Sequence, residues 1–196
     1  MEIRTAPFIN QFLEELDMYV FHLKLLLKKL DQFEQEVKSE FEKITPDFDL
    51  ENVDGSEIWQ KALKNIMGID NFHPYLQKTG AMAGYCIVIF HLFERFMEEC
   101  TWQECNSFSN FVEKIPEIKN HESFSKIEEL RNVANFCKHG AGPSADELRK
   151  LRPDYFKEDF WKGKQYKPLS GFDLNINIRD IEIYVDAIKE FSEDLP

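Results

Sequence analysis

The chain has 196 residues, with 24 Lys and Arg against 36 Asp and Glu, and carries a net charge of −12. Its 43% hydrophobic and 14% aromatic content, including 18 Phe, excludes a disordered acidic tail and a collagen-like repeat, and calls for a core of Phe, Leu and Ile. A chain of this length can bury a sizeable core as one unit, and its overall acidity disfavours indiscriminate contact with a phosphate backbone.

The N-terminus lacks a basic stretch followed by an apolar one, so no signal or transit peptide is expected and the cytoplasm is the expected compartment. Phe8, Phe12, Leu16, Tyr19, Leu23, Leu26, Leu30, Phe33, Val37 and Phe41 recur every three or four residues, the stripe of a long helix between Pro7 and Pro46. Such a helix runs about 55 Å at 1.5 Å per residue. Leu13, Val20 and Leu27 add a second apolar line to its first half, and a partner subunit is expected to cover what a small globule leaves bare. Residues 46 to 56 read as an acidic loop, and a short helix is expected from Glu57 to Met67.

From Thr79, the expected N-cap, to Cys100 the pattern is apolar nearly all round, as in the central helix of a bundle. Its apolar run, Ala81 to Phe93, is 13 residues long, short of the roughly 18 that a membrane span needs. Gly80, Ala81, Ala83 and Gly84 predict close approach of a neighbouring backbone. A modest helix is expected near Ser107 to Ile115. Another follows from Glu122 to His139, with Ile127, Leu130, Val133, Ala134 and Cys137 inward and Gly140 as its stop.

Beyond Gly140 the chain turns basic and less regular up to residue 178. Ser144 with Glu147 predicts a capping box, and Pro153 ends the helix that it opens. Between Leu148 and Pro168 seven cations face three acids, a local charge of +4. Phe172, Leu174, Ile176 and Ile178 alternate with polar residues, the pattern of one half-buried strand, before a last amphipathic helix from Asp180 to Leu195. The expected fold is a single all-α domain over residues 1–196, an antiparallel helical bundle with a long N-terminal helix and at most one or two short C-terminal strands.

Most site chemistries find no support in the residues. A di-metal bundle needs two Glu-x-x-His pairs; His91 with Glu94 has the reverse order and Glu117 with His121 sits in a loop-like stretch. Phosphate cradles rich in Gly and a nucleophile elbow are both missing. Cys86, Cys100, Cys105 and Cys137 form no CxxC pair and read as buried free thiols. No metal and no cofactor is expected.

What remains is residues 128 to 142, EELRNVANFCKHGAG. On a helix, Arg131, Asn135 and His139 follow one another at i, i+4 and i+8 along one polar stripe, three residues after Glu128. His139 falls at the C-terminal end, where the helix dipole favours a protonated imidazole. With Lys138 beside them, these side chains suit binding or acting on a phosphodiester; equally, Arg131 can pair with a nearby carboxylate while His139 merely ends the helix.

A helix ending in Arg, Asn and then His-Gly resembles the motif helix of the HEPN superfamily, and the likeness extends over residues 80 to 160. The resemblance implies a small helical bundle. It also implies a homodimer in which the Arg and His of the motif meet across the interface, in many members as a metal-independent endoribonuclease of toxin–antitoxin, antiphage or RNA-processing systems. Carried over, His139 is the general acid or base on the ribose 2′-hydroxyl, Arg131 stabilises the phosphorane, and Asn135 orients the phosphate or the imidazole. Lys138, Arg149, Lys150 and Arg152 are the expected RNA contacts, and an antitoxin or neighbouring protein is a possible partner. Seven residues separate Arg131 from His139 where the family motif has four to six. That departure keeps open a different class of function, a non-catalytic interaction or regulatory module that binds a protein, nucleotide or RNA through the same stripe.

Overall fold

The structure is a computed structural model that describes residues 9–44, 74–101, 105–140, 142–156 and 174–195. The expected loop at 46 to 56, the helix at Glu57 to Met67 and the cations from Lys157 to Lys167 lie outside these residues. Six α-helices are present among the described residues: α1 (Ile9–Ile44), α2 (Pro74–Cys100), α3 (Phe108–Lys114), α4 (Phe124–His139), α5 (Pro143–Leu151) and α6 (Ile178–Glu193). Two 3₁₀ turns, Pro116–Asn120 and Pro153–Tyr155, punctuate them. The fold is an all-α helical bundle.

The chain divides into two compact units, Met1–Leu23 with Thr79–Pro196, and Lys24–Lys78. In the smaller unit, the Lys78 ammonium lies 2.8 Å from Glu34 and also pairs with Asp31. In the larger unit the Phe-rich composition becomes a chain of ring contacts. Phe12 of α1 stacks on Phe96 of α2 at 4.2 Å between centroids; Phe93 of α2 meets Phe108 of α3 and Phe191 of α6, each at 5.8 Å; Phe108 stacks on Phe124 of α4. Phe93, Phe108 and Phe191 are buried, and each such ring contributes roughly 1.5–3 kcal/mol through removal from water. Helix α4 packs against both α5 and α6.

Local chemistry explains most helix ends. Ser107 caps α3 by accepting the Asn110 N–H. Gly140 stops α4 at φ 73°, a left-handed value that a side chain would strain, and returns its N–H to the Phe136 carbonyl at 2.8 Å.

Several expectations are corrected. Helix α2 begins at Pro74, whose fixed φ suits a first turn, so Thr79 is buried inside the helix instead of capping it. At Gly84 an added Cβ would meet nothing within 4 Å among the described residues, so no described backbone approaches there. In α5, Pro143 occupies the first turn and Gly142 precedes it, so Ser144 makes no cap; Glu147 instead holds Lys150 at 2.6 Å. The capping box occurs at α6, where Asn177 accepts from the Arg179 and Asp180 N–H groups and Asp180 accepts the Asn177 N–H at 3.0 Å. The alternation before α6 is real, with Leu174 and Ile176 buried and Asn175 and Asn177 exposed. Among the described residues it amounts to one antiparallel bridge between Phe156 and Leu174, and Ile178 already belongs to the helix. On the Phe156 side, the residues before the bridge form the 3₁₀ turn Pro153–Tyr155 and not a strand. By length and composition Lys78–Cys100 reaches the minimum for a membrane span, longer than its apolar run, and half of its most apolar window is buried within the fold.

Candidate functional site

Helix α4 carries the candidate residues because its two sides differ. Ile127, Leu130, Val133, Ala134 and Phe136 are buried, which turns Arg131, Asn135 and His139 outward, the first two half-buried and the last exposed. Arg131 sets its guanidinium over the Phe108 ring, 6.0 Å from the centroid. Among the described residues, Arg131, Asn135 and His139 make no side-chain hydrogen bond or ion pair. Eight residues at 1.5 Å separate the Cα atoms of Arg131 and His139 by about 12 Å, so one helix does not bring the two onto a single phosphate.

The expected cations divide. Lys138 is exposed, with its Nζ 3.5 Å from His91 Nε2 of α2. Arg149 bonds Asp146 at 3.4 Å and lies over the Phe156 ring at 4.9 Å. Lys150 is held by Glu147. Arg152 faces inward and is the centre of a second polar site that the sequence reading did not find.

That site joins α4, the turn after α5, and α6. Arg152 Nη1 donates to Glu129 Oε1 at 2.7 Å and to the Tyr155 hydroxyl at 2.6 Å; Nη2 donates to Asp180 at 3.1 Å and to Asp154 at 2.7 Å. Lys126 also donates to Glu129, at 2.8 Å. The Tyr155 and Tyr184 hydroxyls are 2.7 Å apart, and Tyr184 lies 2.7 Å from Glu129 Oε1. Proton directions follow from the end group: an ionised Glu129 only accepts, so Tyr184 donates to it, Tyr155 donates to Tyr184, and Arg152 donates to Tyr155.

Burial works against charge on Glu129, yet hydrogen bonds from Lys126, Tyr184 and Arg152 win and hold its carboxyl below the usual range. Burial first, then the neighbouring phenol, pushes Tyr184 well up; burial also raises Tyr155. Arg152 is held protonated chiefly by Asp154, then by Glu129 and Asp180. Every charge in the cluster is paired, which makes it a clasp between elements. The sequence did carry a signal for Glu129, which precedes Val133 by four and Phe136 by seven and so lies on the apolar side of α4.

Cys86, Cys100 and Cys105 are buried free thiols and Cys137 is half-buried; burial pushes Cys100 and Cys137 up to about 12. No three His, Cys, Asp or Glu side chains gather as a metal set among the described residues. A cleft of about 390 Å³ between α4 and α6 is lined by Glu122, Asp186 and Glu190 against Lys126 alone among charged groups, a poor match for an anionic ligand. In comparisons with known proteins, no family model, no curated protein and no solved structure matches this chain.

Proposed function

We propose that the chain is a HEPN-like protein that cuts RNA without a metal, through composite sites formed by two copies. The observation that carries this reading is the outward stripe of α4, where Arg131, Asn135 and His139 are evenly spaced and bonded to nothing among the described residues. Even spacing has a geometric consequence. If two α4 helices pack antiparallel with a two-fold axis over Asn135, Arg131 of one copy stands opposite His139 of the partner subunit, twice, and the 12 Å separation within one helix disappears.

At each such site His139 exchanges a proton with the ribose 2′-hydroxyl or the leaving oxygen, Arg131 stabilises the charge on phosphorus, and Asn135 orients the phosphate. Lys138 adds a cation at the same helix end. A cytoplasmic toxin–antitoxin or antiphage role, with a neighbouring protein as antidote, fits this activity. A second reading, a non-catalytic module that binds a protein, nucleotide or RNA, is favoured by Arg131 lying against Phe108 and by the pairing of Arg149, Lys150 and Arg152 with carboxylates. Incubating the protein and its His139→Ala variant with a mixed RNA pool in EDTA decides between them. Cutting by the wild type that vanishes in the variant supports the nuclease; intact RNA in both overturns it.

A further inference from the structure

Helix α2 brings a second imidazole to the same end of α4. His91 is exposed, and its Nδ1 lies 3.2 Å from Glu94 Oε2, one turn along the helix. Glu94 is not free to swing away, because its other oxygen accepts the Phe108 N–H at 3.4 Å and its side chain is mostly covered. On the far side of the ring, His91 Nε2 faces the Lys138 ammonium at 3.5 Å. An ammonium can only donate, so Nε2 carries the lone pair and Nδ1 carries the proton, on the side of the Glu94 carboxylate. The result is an imidazole between the Glu94 carboxylate and Lys138, its basic nitrogen toward that lysine, which is the sequence neighbour of His139. Accepting from Lys138 gives the neutral imidazole a charge-assisted hydrogen bond in the unliganded protein. Around a phosphodiester the arrangement has a use.

We propose that His91 is a second catalytic residue of the RNA-cutting site, the general base that takes the 2′-hydroxyl proton, with His139 as the general acid; this rests on the RNA-cutting reading above. A substrate phosphate draws Lys138 onto its own oxygens and so releases His91 Nε2. That nitrogen accepts the 2′-hydroxyl proton as the O2′–P bond forms, the P–O5′ bond breaks, and O5′ takes the proton of the His139 imidazolium. The products are a 2′,3′-cyclic phosphate and a 5′-hydroxyl; His91 leaves protonated and His139 neutral, and exchange with water resets both. Glu94 is a positioning residue, which acts by fixing the tautomer and direction of the ring.

The test measures cutting of a single-stranded RNA in EDTA by the wild type and by the His91→Ala, His91→Gln, Glu94→Gln and His139→Ala variants, with added imidazole as a further arm. General-base removal lowers the rate by about 100-fold or more, so both His91 variants are expected to lose cutting and imidazole to restore part of it to His91→Ala. Glu94→Gln, which keeps a hydrogen-bonding side chain, is expected to lower kcat with KM unchanged, an effect that a merely structural ion pair would not give. Product ends carrying a 2′,3′-cyclic phosphate complete the expected result. If His91→Ala cuts like the wild type while His139→Ala is silent, the inference fails and the nuclease reading stands. A loss that imidazole does not rescue and that lies in KM assigns His91 to binding and overturns the base role. If the wild type itself leaves the RNA intact, both readings fall together.

Discussion

Replacing Arg152 by Met keeps a long apolar stem but removes the guanidinium that serves two buried carboxylates, Glu129 at 7% and Asp180 at 9% side-chain exposure. Breaking a buried pair by deleting one partner costs about 3–5 kcal/mol because the other charge stays buried. Here Glu129 keeps Lys126 and Tyr184, and Asp180 keeps the Asn177 N–H. The low end applies, about 3 kcal/mol. For a chain of this size that shifts Tm by about 6–12 °C, at roughly 2–4 °C per kcal/mol. Urea melts of Arg152→Met, Glu129→Leu and the double variant measure it. The double variant should lose less than the sum of the singles by at least about 1 kcal/mol, since removing both partners leaves no orphaned charge between them. A loss under about 1 kcal/mol for Arg152→Met, or strict additivity, would refute the claim that this cluster clasps α4, α5 and α6 together.

The same cluster fixes how stability responds to pH. Glu129 is held below its ordinary value of 4.5, so its contribution is present above about pH 4.5 and is lost as pH falls through the lower folded value. Melts from pH 6 to pH 3 should show that loss, and Glu129→Gln should flatten it. Tyr155 and Tyr184 are raised above 10, so stability should fall as pH climbs past about 10, where the phenols of the unfolded chain ionise while the folded ones stay neutral, which melts of Tyr184→Phe at alkaline pH check. At the α6 entrance, Asn177→Ala removes the acceptor of two backbone N–H groups and should cost about 1 kcal/mol by urea melt; no measurable cost would mean that Asp180 alone organises that helix start.

The helices were legible from the sequence because apolar spacing records, residue by residue, which side of a helix is withdrawn from water. The stripe from Phe12 to Leu23 and the face of Ile127, Leu130, Val133 and Ala134 needed no partner to be recognised. So did the stops at Gly140 and Pro153 and the outward direction of Arg131, Asn135 and His139, since each depends on neighbours within a few residues. Helix starts were less legible, because Ser144 and Asn177 carry similar capping chemistry and only the placement of Pro143 and Asp180 decides which one acts. The pairings of Arg152 with Glu129 and Asp180, and of His91 with Lys138, join residues 23, 28 and 47 positions apart. No local pattern encodes contacts of that range. They exist because α4 packs on both α5 and α6 while α2 brings His91 to its end, and that packing alone turned one expected RNA contact, Arg152, into an internal clasp.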